Sequence, residues 1–420
     1  MKITLFELKK LVTSKLFIAS TALLLLAYLV TIIPNIDSDA KHAKQTADYI
    51  NTRVPDVITQ EYTNELIAKN EKALADALGA LGENAADGQT LDLGEFYYEE
   101  VDIQAQLEYA SVFHRHRLEA LTLAIKSKTD TEAGGDIYKQ RYNEQIINSY
   151  NQVIDITLIG RYANNDYFER FYGSLWVQRK LFPIIFVLWA MLQTAYLLCC
   201  ERASRSDMVT AASKGGRSAM FLHKLGAVTV TVFTATLLMY IVQMIIAYAV
   251  YRLDMYASIQ SMSRFEYCPY LFNIIGTYTV MQLMLFGAAM TGVFVAALFS
   301  IRAAYPVRGI LLSFVVMFAV YRIFLLFIGN GVPKEIADMF GTVRMYVPLY
   351  MIYPEFYFTD FDYGALFDFP VSRLAVVAVI TVIFGIISTF ICAKLYGKGI
   401  DFSWKAKLSS LTKSQKHTAA

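Results

Sequence analysis

Six long apolar runs dominate the chain, at 16–34, 181–200, 225–251, 270–299, 309–329 and 374–393. About twenty apolar residues cross roughly 30 Å of hydrocarbon as a helix, so each run predicts a transmembrane helix. The runs at 225–251 and 270–299 exceed that length and are expected to tilt or to project beyond the bilayer. The fold class that follows is an all-α polytopic membrane protein with six transmembrane helices.

Between the first two runs the pattern changes. Residues 35–180 hold 24 acids and 15 Lys or Arg and no long apolar run, which keeps them out of lipid. Leu66, Ala73, Leu74, Ala77, Leu78 and Leu81 recur at helical intervals. A second helical pattern covers 94–128, and a third begins at Ile137, with breaks at 82–90 and 129–136. Tyr167, Phe168, Phe171, Tyr172 and Trp176 form an aromatic belt where the chain returns to the membrane. The expectation is a helical extracellular domain between the first and second spans.

Residues 1–15 place Leu5, Leu8, Leu11 and Val12 on one side of a helix and Lys2, Lys9 and Lys10 on the other. That pattern predicts a cytoplasmic interfacial helix lying on the inner leaflet. The run that follows is long for a signal peptide and lacks a small-x-small cleavage site, so it reads as a retained first span. The outer loop 330–373 carries eleven Phe or Tyr side chains interrupted by four Pro. An aqueous loop does not need so many rings, so this loop is expected in the outer interface, with a re-entrant helix pair as one form.

Small residues recur at every fourth position on two spans. Ala288, Gly292, Ala296 and Ser300 do so on the fourth, and Thr381, Gly385, Thr389 and Ala393 on the sixth. Such stripes permit close helix approach, within one subunit or between two.

Composition agrees with the pattern: 56% of residues are hydrophobic and the mean hydropathy is +0.40, too apolar for an ordinary soluble fold. The net charge of +2 is uninformative, because the charges are segregated. Lys and Arg gather at 1–15, 201–224, 302–308 and the 394–420 tail, whereas the 330–373 loop has six acids. The positive-inside rule therefore places both termini and the 201–224 connector in the cytoplasm and the 35–180 insertion outside. The four Cys lie in or beside apolar runs, so no disulfide framework is implied. An exported domain without cystine fits a bacterial cell membrane.

The connector between the second and third spans opens with Glu201 and Arg202, continues through Arg205 and Asp207, breaks at Gly215-Gly216, and closes with Arg217 and Lys224. It reads as a short polar helix that stays out of lipid. Its charges also suit a solvated loop that serves topology alone. No G-x-x-x-x-G-K-[ST] or H-E-x-x-H motif occurs, and His114 and His116 are misplaced for a shared metal. No Asp or Glu falls within a span, which argues against a proton- or sodium-driven carrier. No cofactor or metal site is expected in this chain. Arg322 is the sole charge inside a span, roughly 10 Å below the outer end. It is expected to face the bundle or a wet cavity, either lining a substrate pathway or anchoring the outer loop through Glu335 or Asp338.

Three stretches together resemble the type-two ABC transporter permease family, the membrane-spanning subunits of ABC exporters. They are the Glu7-Leu8-Lys9-Lys10 run leading to Phe17, the connector with Glu201-Arg202, Gly215-Gly216-Arg217 and Lys224, and the segment 294–308. The family's Thr-Leu-Glu element is replaced here by Ser206-Asp207, and its Pro-x-x-Arg lacks the proline at Lys214. The resemblance implies an ABC ATP-binding subunit and a second permease copy or paralogue as partners. ATP and Mg would sit in the partner subunit, with Glu201, Arg202, Arg205, Asp207, Gly215, Gly216, Arg217 and Lys224 at the coupling contact. It implies outward movement of an amphipathic or hydrophobic substrate. The alternatives are a membrane scaffold or sensor acting through its extracellular domain, and a secondary transporter.

Overall fold

A computed structural model describes residues 2–29, 137–157, 181–203, 216–249, 272–301, 306–328, 343–358 and 369–397, together with 363–366 and scattered single positions elsewhere. The described residues are predominantly helical. They form α1 (Lys2–Val12), α2 (Lys15–Leu29), α3 (Ile137–Thr157), α4 (Leu181–Ala203), α5 (Gly216–Ala249), α6 (Ile274–Ser300), α7 (Pro306–Ile328) and α8 (Arg373–Gly397). Four helices, α4, α5, α6 and α8, are each long and apolar enough to cross a membrane. The pair α1 and α2, bent by 64°, adds a fifth candidate if taken as one span. In α7 the qualifying apolar segment is shorter, Val307–Val320.

α6 is the centre. Asn273 caps its first turn, its side chain accepting from the Gly276 amide at 2.8 Å, which satisfies one of the donors a helix start leaves open. From there nearly every turn is buried, against α4, α5, α7, α8 and the loop beyond α7. The expected small-residue stripe does this work: Ala288, Ala296 and Ser300 are fully buried and Gly292 meets α4. A β-carbon at Gly292 would come within 2.7 Å of Val187, so only glycine permits that approach.

α2 and α4 run antiparallel. Phe17 tilts against Trp189 at one level, and Tyr28 against Phe182 at another. The chain therefore leaves α2 and enters α4 at the same end of the bundle. That end also carries α3, which packs on strand β2 (Phe369–Ser372), with the Arg141 guanidinium 4.1 Å from the Phe369 ring. Within the 35–180 insertion, Ile137–Thr157 is helical as predicted, as are isolated positions from Glu61 to Lys72 and Ile125. The rest of the two preceding helical patterns and the aromatic belt at 167–176 lie outside the described residues.

The aromatic loop differs from a re-entrant α-helix pair. Its described part consists of two short 3-10 helices, Pro348–Ile352 and Pro354–Tyr357, and a β-hairpin of β1 (Tyr363–Leu366) with β2, in register Tyr363↔Ser372 and Leu366↔Phe369. Prolines at the first positions of both 3-10 helices lock the turns and prevent a longer α-helix. Among the described rings, Tyr350, Tyr353, Tyr357 and Phe358 are buried against α6 and its lead-in, where Tyr270 meets Phe358 edge to face and Phe272 tilts against it. The Tyr357 hydroxyl donates to the Met345 carbonyl, and burial pushes its phenol above the ordinary value despite the nearby Arg373 and Arg344.

Candidate functional site

The end of the bundle opposite the hairpin gathers α1, the last turns of α4, α6 and α8, and the first turns of α5. Gly216 opens α5 with φ +65°, the left-handed conformation that a glycine adopts without a β-carbon penalty. This turn lets the chain swing from the connector straight into a helix. α5 therefore begins well before the apolar run does, and Lys224 lies two turns inside it rather than at its mouth. The Lys224 side chain is fully buried and its Nζ donates to the Leu197 carbonyl of α4 at 3.1 Å. An ammonium held in such a place ties α4 to α5 at the base of the connector. Lys224 is thus a structural cation as well as a connector residue.

α1 lies across the same turns. Thr4 Oγ1 and His223 Nδ1 are 2.9 Å apart, and Thr4 packs over Gly226, whose missing side chain admits it. Glu7 and Leu11 are fully buried in this contact region, whereas Ile3, Leu5 and Phe6 are exposed. α1 is helical as expected, but its packed side combines Leu11 with the Glu7 carboxylate, whereas Leu5 and Val12 of the expected apolar side are exposed. On the far side of α5, the Ser218 hydroxyl donates to the Ala393 carbonyl of α8 at 3.1 Å, and Gly397 packs on Ser218. Phe221 and Tyr396 stack beside that bond with centroids 5.8 Å apart.

Of the connector residues predicted to form the coupling contact, the structure brings Gly216, Arg217 and Lys224 to this end of the bundle. Glu201 and Arg202 continue α4, so the span extends into the connector. Arg205, Asp207 and Gly215 lie outside the described residues.

Sequence reasoning missed the polar seams between helices. Gln193 of α4, fully buried, donates to Ser20 Oγ of α2 at 2.8 Å, and Trp189 Nε1 reaches Thr21 at 3.3 Å. Gln282 of α6 and Gln243 of α5 form a second buried amide pair. The signal was available: Gln193, Gln243 and Gln282 are the only amide side chains after the first residues of their apolar runs, and a polar group in such a run needs a partner on another helix.

Two apolar concavities flank α6. One, about 220 Å³, lies between α4, α7 and the Pro348–Ile352 turn, lined by Val187, Met191, Phe314, Met317, Phe318 and Leu349 among others. The Arg322 guanidinium stands 5.3 Å from the centroid of Phe318, one of these lining residues, and the side chain is exposed; of the two expected settings, the bundle interior and a wet cavity, it does not occupy the first. The reason is helical phase. Among the described side chains of α7, Gly309, Ser313 and Met317 are the buried ones, each four residues apart, and Arg322 falls five residues past the last of these. Its expected partners Glu335 and Asp338 lie outside the described residues. The other concavity, between α5, α6 and α8, is treated below. No cluster of metal-binding side chains occurs among the described residues. Comparison with protein-family models, curated proteins and solved structures gives no match for this chain.

Proposed function

We propose that this chain is the membrane-spanning permease subunit of an ATP-driven exporter of the ABC type, moving an amphipathic or hydrophobic substrate outward. In this reading the six apolar runs are spans, 35–180 is extracellular, and both termini are cytoplasmic. The observation that carries it is the convergence of α1, the α4 end and the α8 end on the first turns of α5, where the connector enters that helix, through Thr4–His223, Lys224–Leu197 and Ser218–Ala393. A push on the connector at that junction reaches α4, α5 and α8 at once, which is what a coupling contact requires. The sequence carries no phosphate-cradling loop, so the energy source belongs to a separate ATP-binding subunit. A second permease copy or paralogue completes the assembly. The apolar concavities suit a greasy cargo, in keeping with a transporting role.

Affinity purification in mild detergent followed by mass spectrometry tests the partner. The expected result is a co-purifying ATPase, with ATP hydrolysis only in its presence. Tight ATP binding by the isolated chain would sink the reading. Arg205→Glu with Arg217→Glu is expected to weaken the association while leaving the chain folded; unchanged complex yield and unchanged transport would return these charges to a purely topological role.

A further inference from the structure

The groove between α5, α6 and α8 has a volume of about 720 Å³ and opens outward from the bundle. Gly287 and Gly385 form its floor, and Phe286, Phe294, Ile386 and Phe390 its sides. The hydroxyls of Thr229 and Thr381, which also line it, turn back onto the Leu225 and Val377 carbonyls of their own helices. What these threonines offer the groove is methyl, so its occupant is apolar. Along α8 the groove runs from Ala378 to Ala393. Fifteen helical rises make that roughly 22 Å, longer than the roughly 15 Å depth of one leaflet's hydrocarbon. A lipid tail therefore fits along it.

The two ends differ in charge. At the Ala393 end the Ser218–Ala393 bond joins α5 to α8, and the sequence neighbours of these two residues are Arg217 and Lys394. Lys394 is exposed and sits in the last turn of α8. At the Ala378 end the nearest basic residue on α8, Arg373, stands over the Tyr346 ring at 6.0 Å. We infer that the groove holds one acyl chain of an anionic phospholipid, its phosphate placed at Lys394 and Arg217. A tail leaving bulk lipid gains little from hydrophobicity, so packing against the groove and the basic mouth together supply the preference. This inference does not depend on the transport reading.

The test uses the full chain in nanodiscs of equimolar phosphatidylglycerol and phosphatidylcholine, with a photoreactive diazirine on the tail of one lipid at a time. Adducts are mapped by mass spectrometry. The expected adducts fall on Phe286, Phe294, Ile386 or Phe390, with phosphatidylglycerol favoured. Ala378→Trp, which fills the end of the groove that the tail tip occupies, lowers them. Val379→Trp, at the adjacent exposed position outside the lining, leaves them. Lys394→Gln lowers the preference for phosphatidylglycerol about fivefold, the worth of one basic contact near a lipid surface. Adducts spread evenly over the exposed faces of α7 and α8 would overturn the inference. So would unchanged groove labelling in Ala378→Trp, or a dimer whose second copy shields the groove from lipid. Thr389→Leu, a smaller filling of the same groove, replaces Ala378→Trp if the latter does not fold.

Discussion

α6 and α8 are both long apolar helices, yet they have opposite surroundings. α8 is strongly apolar and the least buried of the four full-length candidates, whereas α4 and α6 are the most buried. In a water-soluble protein a helix as apolar as α8 would be packed inside. With lipid outside, apolar side chains gain nothing by turning inward, so the outward faces collect Ile, Val and Phe. α8 shows Val382, Ile386 and Phe390 to the outside. The interior collects the groups that fit closely or need partners: Gly292, Ala296 and Ser300 on α6, Gln193 on α4, Lys224 on α5. Cohesion in this bundle comes from close approach and interhelical hydrogen bonds, with hydrophobicity setting only which segments are helical spans.

That contrast can be broken most forcefully at Lys224. Lys224→Glu puts an acid against the Leu197 carbonyl in a fully buried position, and the cost expected is about 3–5 kcal/mol, that of an uncompensated buried charge. Loss of the monodisperse peak in detergent gel filtration is the readout; a stable Lys224→Glu protein would mean that the α4–α5 seam is wet.

Gly292→Leu comes next. Its side chain must displace Val187 and Met191, for about 1–3 kcal/mol of overpacking. A clear fall in the detergent melting temperature is expected, and an unchanged melt would show α4 and α6 to be further apart than described here. Gln193→Ala should cost less, about 0.6–1.7 kcal/mol, the range for interhelical hydrogen bonds in membranes. Ser20→Ala in the same background should add almost nothing, since both changes delete one bond. Full additivity in that double-mutant cycle would place the two residues in separate contacts.

The smallest effect belongs to the outer face. Ile387→Ala on α8, exposed and outside the groove, should shift stability by less than about 0.5 kcal/mol. An Ile387 variant as damaging as Gly292→Leu would reveal a partner covering α8.

Much of the architecture was legible in the sequence. Hydropathy marks α4, α5, α6 and α8 because a run of twenty apolar residues has few other fates. Helical periodicity located Ile137–Thr157, and the spacing of Lys9, Lys10 and Leu11 foresaw α1. The Gly215-Gly216 break was legible too, because a left-handed turn selects glycine. Facing was not legible. Two stripes with the same four-residue period diverged: Ala288 to Ser300 became the core contact with α4, while Thr381 to Ala393 became the wall of an open groove. A period identifies a face and leaves its neighbour unspecified. Arg322 turned outward because Gly309, Ser313 and Met317 took the inward phase of α7. Lys224 turned inward because the carbonyl of Leu197, twenty-seven residues away, was there to receive it. The aromatic loop packs on the side of α6 through two short turns that begin with Pro348 and Pro354, and the ring pattern alone does not say which helix they meet. The sequence by itself determined which segments are helical and apolar, since that depends on composition over one or two turns. The tertiary structure decided which side of each helix is inside, since that depends on what the other helices present.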